Sequence, residues 1–319
     1  MIVDPERSYD LIGDVHGCAR TLERLLDQLG YRRRGDVWRH PRRQVIFLGD
    51  IIDRGPRIRE ALHLVHAMVE AEQAYCIMGN HEFNALGWYT PAPPGSGKTF
   101  VREHTPRYET LLQETFQQFE HYPDEWRAFR EWFMELPLFL QSERFRVVHA
   151  CWDNAVIDQL RQRLSHGCVD PEFLRDAAFS DGFAAKALDR LLRGTDMPLP
   201  QGLTLTSAEG FTRSFFRTKF WEENPRTYGD IVFQPDGLPE KAARLPLSES
   251  QKSRLFLYGP DDPLLFVGHY WRSGEPAPIR HNLACLDYSA VKYGKLVAYR
   301  LDQETRLDPA KFVWVNVER

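Results

Sequence analysis

Several things are scarce in this chain, and each scarcity closes off a class of protein. The 319 residues include only five cysteines (Cys18, Cys76, Cys151, Cys168, Cys285), an odd number with no CxxC pair. That argues against a disulfide framework or a thiolate metal site, and for reduced thiols in the cytoplasm. No apolar run approaches the roughly 18 residues of a membrane span, and the opening MIVDPERSYD reads as neither a signal nor a transit peptide. Positive charge is also short. Lys and Arg number 41 against 45 Asp and Glu, a net charge of −4, so no global field draws the chain onto nucleic acid or anionic membrane. The local exception is RRRGDVWRHPRR, Arg32 to Arg43. It reads as a solvated loop, with a landing strip for a polyanionic substrate as the sharper alternative. Internal repeats, low-complexity runs and Pro/Gly/Ser linkers are missing too. With 43% hydrophobic and 27% charged residues, the chain reads as one domain (1–319), large enough to hold a core without staples.

What is present first is alternation. The run YDLIGD is followed by CARTLERLLDQLG, where Leu22, Leu25, Leu26 and Leu29 recur at helical spacing before Gly30. QVIFLGD predicts a second buried strand. Pro56 then fits a first helical turn, and Ile58, Ala61, Leu62, Val65 and Val69 mark a helix face. AYCIMGN predicts a third strand, so the opening reads βαβαβ, the signature of an α/β fold with parallel pairing. From Trp88 to about Glu135 the pattern is helical and aromatic, and residues 86–143 are expected to form a lid-like segment. FRVVHA returns to strand character. A mixed insertion over 151–260 follows, with DPEFLRDAAFSDGFAAKALDRLL as one amphipathic stretch. LLFVGH, LACLDYSA, KLVAYRLD and FVWVNV then predict closing strands.

The polar residues at the strand ends are of one chemical kind. GDVHG supplies Asp14 and His16; GDIIDRG supplies Asp50, Asp53 and Arg54; GNHE supplies Asn80, His81 and Glu82. His149 and His269 close two later runs. In an open α/β sheet the binding site lies beyond the carboxyl ends of the strands. Oxygen and imidazole donors converging there suit divalent Mn, Fe or Zn without any thiolate.

At these residues the chain resembles the phosphoprotein phosphatase family of calcineurin-like metallophosphoesterases. Residues 9–84 carry the resemblance most strongly, His149 and His269 add to it, and DYSAVKYGKLVAYRL is similar to the family's last strands. The resemblance implies a β-sandwich flanked by helices, a four-layer αββα arrangement, with a dinuclear metal site at one edge. It implies that Asp14, His16 and Asp50 hold one ion, and that Asp50, Asn80, His149 and His269 hold the other. A metal-activated bridging water would then attack phosphorus. Arg54 would clamp the phosphoryl oxygens, His81 would serve as general acid, and Asp53 would orient it. The family's second phosphate-binding arginine has two candidates in GFTRSFFRTKFW, Arg213 and Arg217, with Arg213 the first choice. Bacterial members include symmetrical diadenosine tetraphosphate hydrolases, protein phosphatases and RNA-end-healing phosphatases. The implied substrate is therefore a phosphorylated small molecule, a dinucleoside polyphosphate or a phosphoprotein. A nucleic-acid end and a catalytically silent phospho-ligand binder are the alternatives. The departure is HAC in place of HAG or HGG, where Cys151 reads as a wall residue and a redox-sensitive thiol is the alternative.

Two features pull elsewhere. Ala92–Thr99, APPGSGKT, fits a relaxed phosphate-loop pattern, but two prolines rather than a buried strand precede its glycines, so an ATP-dependent kinase is disfavoured. Its place soon after Asn80 makes Gly95, Gly97 and Lys98 either a lip over the cleft or a plain loop. His63 and His66, three apart on a helix, have no acidic residue joining them and read as a half-exposed face.

Overall fold

The computed structural model describes residues 2–200, 202–206, 212–233 and 238–318. The chain opens with β1 (Ser8–Ile12), α1 (Ala19–Gln28), the short strands β2 (Arg32–Arg34) and β3 (Val37–Arg39), then β4 (Arg43–Phe47), α2 (Ile58–Glu70) and β5 (Ala74–Cys76). β1 runs parallel to β4 and β4 parallel to β5, as the opening alternation predicts. Helices α3 (Asn80–Tyr89), α4 (Pro106–Phe119) and α5 (Pro123–Glu135) precede the antiparallel pair β6 (Phe139–Gln141) and β7 (Phe145–Val148). Next come α6 (Asn154–Arg163), α7 (Pro171–Phe179) and α8 (Phe183–Arg193). The ribbon strands β8 (Thr195–Pro198), β9 (Leu205–Thr206), β10 (Thr212–Arg213) and β11 (Phe215–Thr218) lead into three one-turn helices, α9 (Tyr228–Ile231), α10 (Glu240–Ala243) and α11 (Glu249–Lys252). β12 (Leu264–Val267), β13 (Leu283–Cys285), β14 (Asp287–Tyr288), β15 (Lys295–Leu301) and β16 (Phe312–Asn316) complete the chain.

Two sheets result. One has the order β14-β15-β1-β4-β5 with β16 also paired to β15, and the other has the order β13-β12-β7-β6. Period-two alternation decides what each strand gives to which core. Tyr9, Leu11, Ile46, Val297 and Tyr299 of the first sheet meet Phe145, Val147, Leu264 and Phe266 of the second in one buried cluster. The intervening residues Ile12, Val45, Phe47, Val148, Leu265 and Val267 face outward onto helices. Helices therefore cover both outer faces, which is the expected αββα layering.

Three expectations are corrected and one is refined. LACLDYSA is not one strand: β13 pairs with β12 and β14 with β15, so the chain crosses between sheets at Leu286. Gly13 permits that crossing, because a Cβ there would come within 2.1 Å of Leu286 O. The amphipathic stretch at 170–192 divides between two helices, α7 and α8. The Ser180 hydroxyl caps the first by donating to Asp176 O at 2.8 Å and accepts from Gly182 N at 3.2 Å. The arginine-rich stretch is the β2–β3 hairpin rather than a loop. Arg32 pairs with Asp27, Arg33 with Glu23 and Asp36, and Arg43 turns inward onto buried Asp10 at 3.0 Å, so those charges already have acid partners. His63 does have an acidic partner: its Nε2 lies 2.9 Å from Glu125 Oε2, a carboxylate already held through both oxygens by Arg59. That is a charge network on the surface, not a metal site.

Candidate active site

The polar residues that follow β1, β4, β5, β7 and β12 meet at one end of the two sheets. The backbone there is unusual. His16, Asp50, Asp53, Arg54 and His269 all have positive φ, between 42° and 68°, a region that non-glycine residues rarely occupy. Glu82 holds part of it in place. Its carboxylate accepts from Asp50 N and Ile51 N at 2.8 Å each, from Ile52 N at 3.3 Å and from Gly79 N at 3.0 Å. Burial, with the charge of Asp50 beyond, raises the Glu82 carboxyl to about 7. Gly79 is required by close approach, since a Cβ there would lie 2.3 Å from Asp50 N.

The imidazoles are aimed by backbone carbonyls. His16 Nδ1 donates to Ile52 O at 2.7 Å and His149 Nδ1 to Leu48 O at 2.7 Å, which turns each Nε2 inward. Asp50 Oδ2 sits among them, 3.4 Å from His149 Nε2, 3.7 Å from His16 Nε2 and 3.9 Å from His81 Nε2. Asn80 Oδ1 lies 3.1 Å from His149 Nε2 and 2.7 Å from His269 Nδ1. Two donor groups emerge, His16–Asp50–His81 and Asp50–His149–His269, each with ligand atoms within 4.8 Å of one another, and they share Asp50. His16 Nε2 and His269 Nε2 are buried with no hydrogen-bond partner among the described residues. Orphaned imidazole nitrogens around a shared carboxylate fit divalent cations held by nitrogen and oxygen.

The electrostatics agree. Burial pushes His149 down, yet the adjacent Asp50 carboxylate outweighs it and raises the imidazole to about 10. The buried anion thus draws a positive charge to its side. Burial lowers His16 and His269, which leaves their nitrogens free of protons and able to ligate. Asp14 is close by, accepting from His269 N at 3.1 Å, but it stands outside both donor groups. Burial and the neighbouring charge of Asp287 raise its carboxyl.

Beside the donors lies a second constellation. His81 Nδ1 is 2.5 Å from Asp53 Oδ2, and both side chains are buried. Burial lowers His81 to about 3, with Arg54 and His149 working against the pull of Asp50, and burial raises Asp53. The pair therefore shares one proton rather than separating charge. Thr115 of α4 supports Asp53 twice, donating its hydroxyl to Oδ1 and accepting from Asp53 N at 3.1 Å. Three residues on, Gln118 accepts from Ile58 N at 2.6 Å and donates to Gly55 O at 3.0 Å. The 86–143 segment thus braces the loop after β4. Arg54 stacks on Trp271, 4.8 Å from the ring centroid, with Lys292 on the same ring at 3.8 Å. Its Nη1 is buried without a hydrogen-bond partner among the described residues.

Of the two insertion arginines, it is Arg217 whose charge reaches the strand-end residues. Its charge acts on His269 and on Tyr270, and Arg213 acts on Arg217. Cys151 is fully buried, and burial raises its thiol to about 12, so it is a wall residue. Lys98 pairs with Glu103 at 3.1 Å. The loop around it encloses its own shallow cavity of about 340 Å³, lined by Gly97–Phe100, Glu103 and His104 and by none of the strand-end residues. Glu82, Thr115, Gln118, Trp271 and Asp287 were not assigned roles from the sequence. Glu82 alone had a legible signal, standing at the third position of a helix as in a capping box.

A sandwich with buried imidazole and carboxylate donors at one edge, flanked by a histidine–aspartate pair and an arginine, defines a metal-dependent hydrolase class. The profile of calcineurin-like phosphoesterases matches residues 9–270, and the chain belongs to that family. Among curated proteins it is similar to the asymmetrical bis(5'-nucleosyl)-tetraphosphatase PrpE of Oceanobacillus iheyensis, with 35% identity over 142 residues, 44% of this chain and 54% of that one. The PrpE of Halalkalibacterium halodurans is 46% identical over 74 residues, 23% of this chain and 30% of that one. The chain thus spans about half the length of the first relative and less than a third of the second. A protein serine/threonine phosphatase from Saccharomyces cerevisiae shares the fold, with a TM-score of 0.52 at 14% identity over 99% of this chain and 81% of the yeast chain. Among the described residues no helix is long and apolar enough to cross a membrane.

Proposed function

We propose that this chain, acting as a single metallophosphoesterase domain in the cytoplasm, hydrolyses phosphate esters, with a dinucleoside polyphosphate as the preferred substrate class. The observation that carries the hydrolytic reading is the pair of buried donor groups sharing Asp50 beside an unpartnered nitrogen of Arg54. His16, Asp50, His149, His269 and Asn80, with Asp14 alongside, would hold two divalent ions, manganese first and iron or zinc next by the chemistry of the donors. Such ions supply Lewis acidity toward the phosphoryl group and lower the pKa of a water. The protein's own groups do the rest. Arg54, fixed on Trp271, binds the phosphoryl oxygens through its free nitrogen. Arg217, rather than Arg213, adds a second cation from the side of Tyr270. His81, with Nδ1 facing Asp53, gives its Nε2–H proton to the leaving oxygen while the proton shared with Asp53 settles on Nδ1, leaving a neutral imidazole beside a carboxylate. The substrate class rests on the names of the relatives together with the cluster of guanidinium groups at the cleft. The five unpaired cysteines support the cytoplasmic placement.

The test is phosphate release by the manganese-loaded protein and its Asp50→Asn variant. The panel is an aryl phosphate, a dinucleoside tetraphosphate, a phosphopeptide and RNA with a phosphorylated 3′ end. The expected result is preference for the tetraphosphate and a loss of about 10³-fold or more in the variant on every substrate. No turnover of any panel member by protein shown to hold both ions would favour a phospho-ligand binder instead.

A further inference from the structure

Two more guanidinium groups are linked to the site, since the charge of Arg193 acts on His269, on Arg217 and on Arg102, and neither proton placement nor ion ligation uses them. Arg193 ends α8, whose last turn is tied to the strand-end site because Ala150 N donates to Leu191 O at 2.8 Å. The chain then turns at Gly194, φ 90°, which lies so close on Tyr270 that a Cβ would come within 2.1 Å of the phenol oxygen. Tyr270 directly follows His269. Arg102 belongs to the 90–105 loop. Its N–H donates to Gly87 O at 2.9 Å, which seats the end of that loop on α3. Both guanidinium groups approach Phe83, two residues beyond His81 on α3. The Arg193 Cζ lies 5.9 Å and the Arg102 Cζ 5.7 Å from the centre of its ring.

Neither guanidinium is fully neutralised. Arg193 meets Asp189 at 3.4 Å, with both side chains about half exposed, a pair of little strength. Arg102 also lies over the neutral Tyr108 ring at 4.4 Å, and its Nε is buried with no hydrogen-bond partner among the described residues. These cations also act on one another. Burial, then the charge of Arg193, lowers the Arg102 guanidinium to about 10. Arg217, lowered by burial, is lowered further by Arg213, Arg193 and Arg54. Gathering like charges at a cleft mouth is unfavourable until a polyanion enters.

We propose that Arg193 and Arg102, both set against Phe83, form a second anion subsite that takes the phosphates of a nucleoside polyphosphate lying beyond the reacting one. The proposal rests on the substrate class given above and assigns that class to particular residues. Guanidinium groups suit the task because each offers several donors in one plane to phosphate oxygens.

The experiment uses the metal-loaded protein, with divalent ion in excess. Tripolyphosphate and orthophosphate are each titrated as inhibitors of aryl phosphate hydrolysis. Tripolyphosphate is expected to inhibit at least about tenfold more tightly than orthophosphate, and Arg193→Gln and Arg102→Gln are each expected to shrink that ratio about fivefold or more. Arg193→Lys should fall between. An unchanged ratio in both variants overturns the subsite, and so does an equal weakening of both inhibitors, which marks general damage. A wild-type ratio near one also overturns it. If tripolyphosphate selectivity depends on Arg193 but diadenosine tetraphosphate is not hydrolysed, the subsite stands and the substrate reading fails. If the tetraphosphate is hydrolysed with a KM that Arg193→Gln does not change, the substrate reading stands and the subsite fails.

Discussion

Among the described residues, nine non-glycine positions have positive φ; five of them, His16, Asp50, Asp53, Arg54 and His269, lie in the strand-end loops, and none lies between 171 and 260. The two regions also differ in what they bury. The loops take Asp14, His16, Asp50, Asp53, His81, Glu82, His149 and His269 out of solvent. The later segment builds a small apolar cluster of its own from Met197, Leu199, Phe216, Tyr228, Ile231 and Leu247, separate from the main core. Strained backbone around buried polar groups persists only where its surroundings over-determine it. Here the surroundings are the Glu82 carboxylate, the glycines and α4. The later segment has no such burden. It carries arginines to the cleft on ordinary helix and ribbon geometry, so its contribution is charge at the edge rather than chemistry at the centre.

The sharpest way to break this contrast is at Gly79. Gly79→Ala would force Asp50 or α3 to move, because the added carbon would lie 2.2 Å from Asp50 Oδ1 and 2.3 Å from its nitrogen. Aryl phosphate turnover should fall by about 10²-fold or more, and thermal stability by about 1–3 kcal/mol. Retained activity would show that the loops are more compliant than their φ angles suggest. A smaller effect is expected in the other region. Ile231 is fully buried in the separate cluster, and Ile231→Ala should cost about 2–4 kcal/mol there. Amide exchange should quicken across 195–233 while β1 and β4 keep their protection. Loss of protection in both places would mean that the two regions unfold as one.

The smallest effect lies outside both, at the α2–α5 contact. The hydrogen bonds from Arg59, with His63, hold the Glu125 carboxyl at about 2, below its ordinary 4.5. A depressed carboxyl stabilises the fold above the unfolded value and loses that contribution as pH falls through the folded one. Wild type should therefore melt above Glu125→Gln by a constant margin at pH 6, and the margin should vanish between about pH 4.5 and 2. Because 35% of the Glu125 side chain is open to solvent, the margin should be no more than about 1 kcal/mol. A larger margin would make this surface network a third structural centre.

Much of the fold and the centre of the site was legible in residue order, for identifiable reasons. Strands alternate every second residue, so Tyr9 and Leu11 against Ile12 announce two buried faces. The polar residues just after those runs must lie at strand ends. The split of LACLDYSA at Leu286 was not legible, since both halves are apolar and only their pairing partners differ. Nor was the bracing by Thr115 and Gln118, which depends on α4 docking against a loop some 60 residues away. Lys98, left open between a lip over the cleft and a plain loop, pairs with Glu103, while Arg102 of the same loop reaches the Phe83 ring of α3.

By itself the sequence determined which donors the protein has and which strand carries each, because covalent order and side-chain period set both. Only the tertiary structure set the distances: Asp50 within reach of three imidazoles, His81 2.5 Å from Asp53, Thr115 on Asp53, and Arg102 and Arg193 against Phe83. Those are distances between residues far apart along the chain, and the packing of the two sheets against their helices sets them.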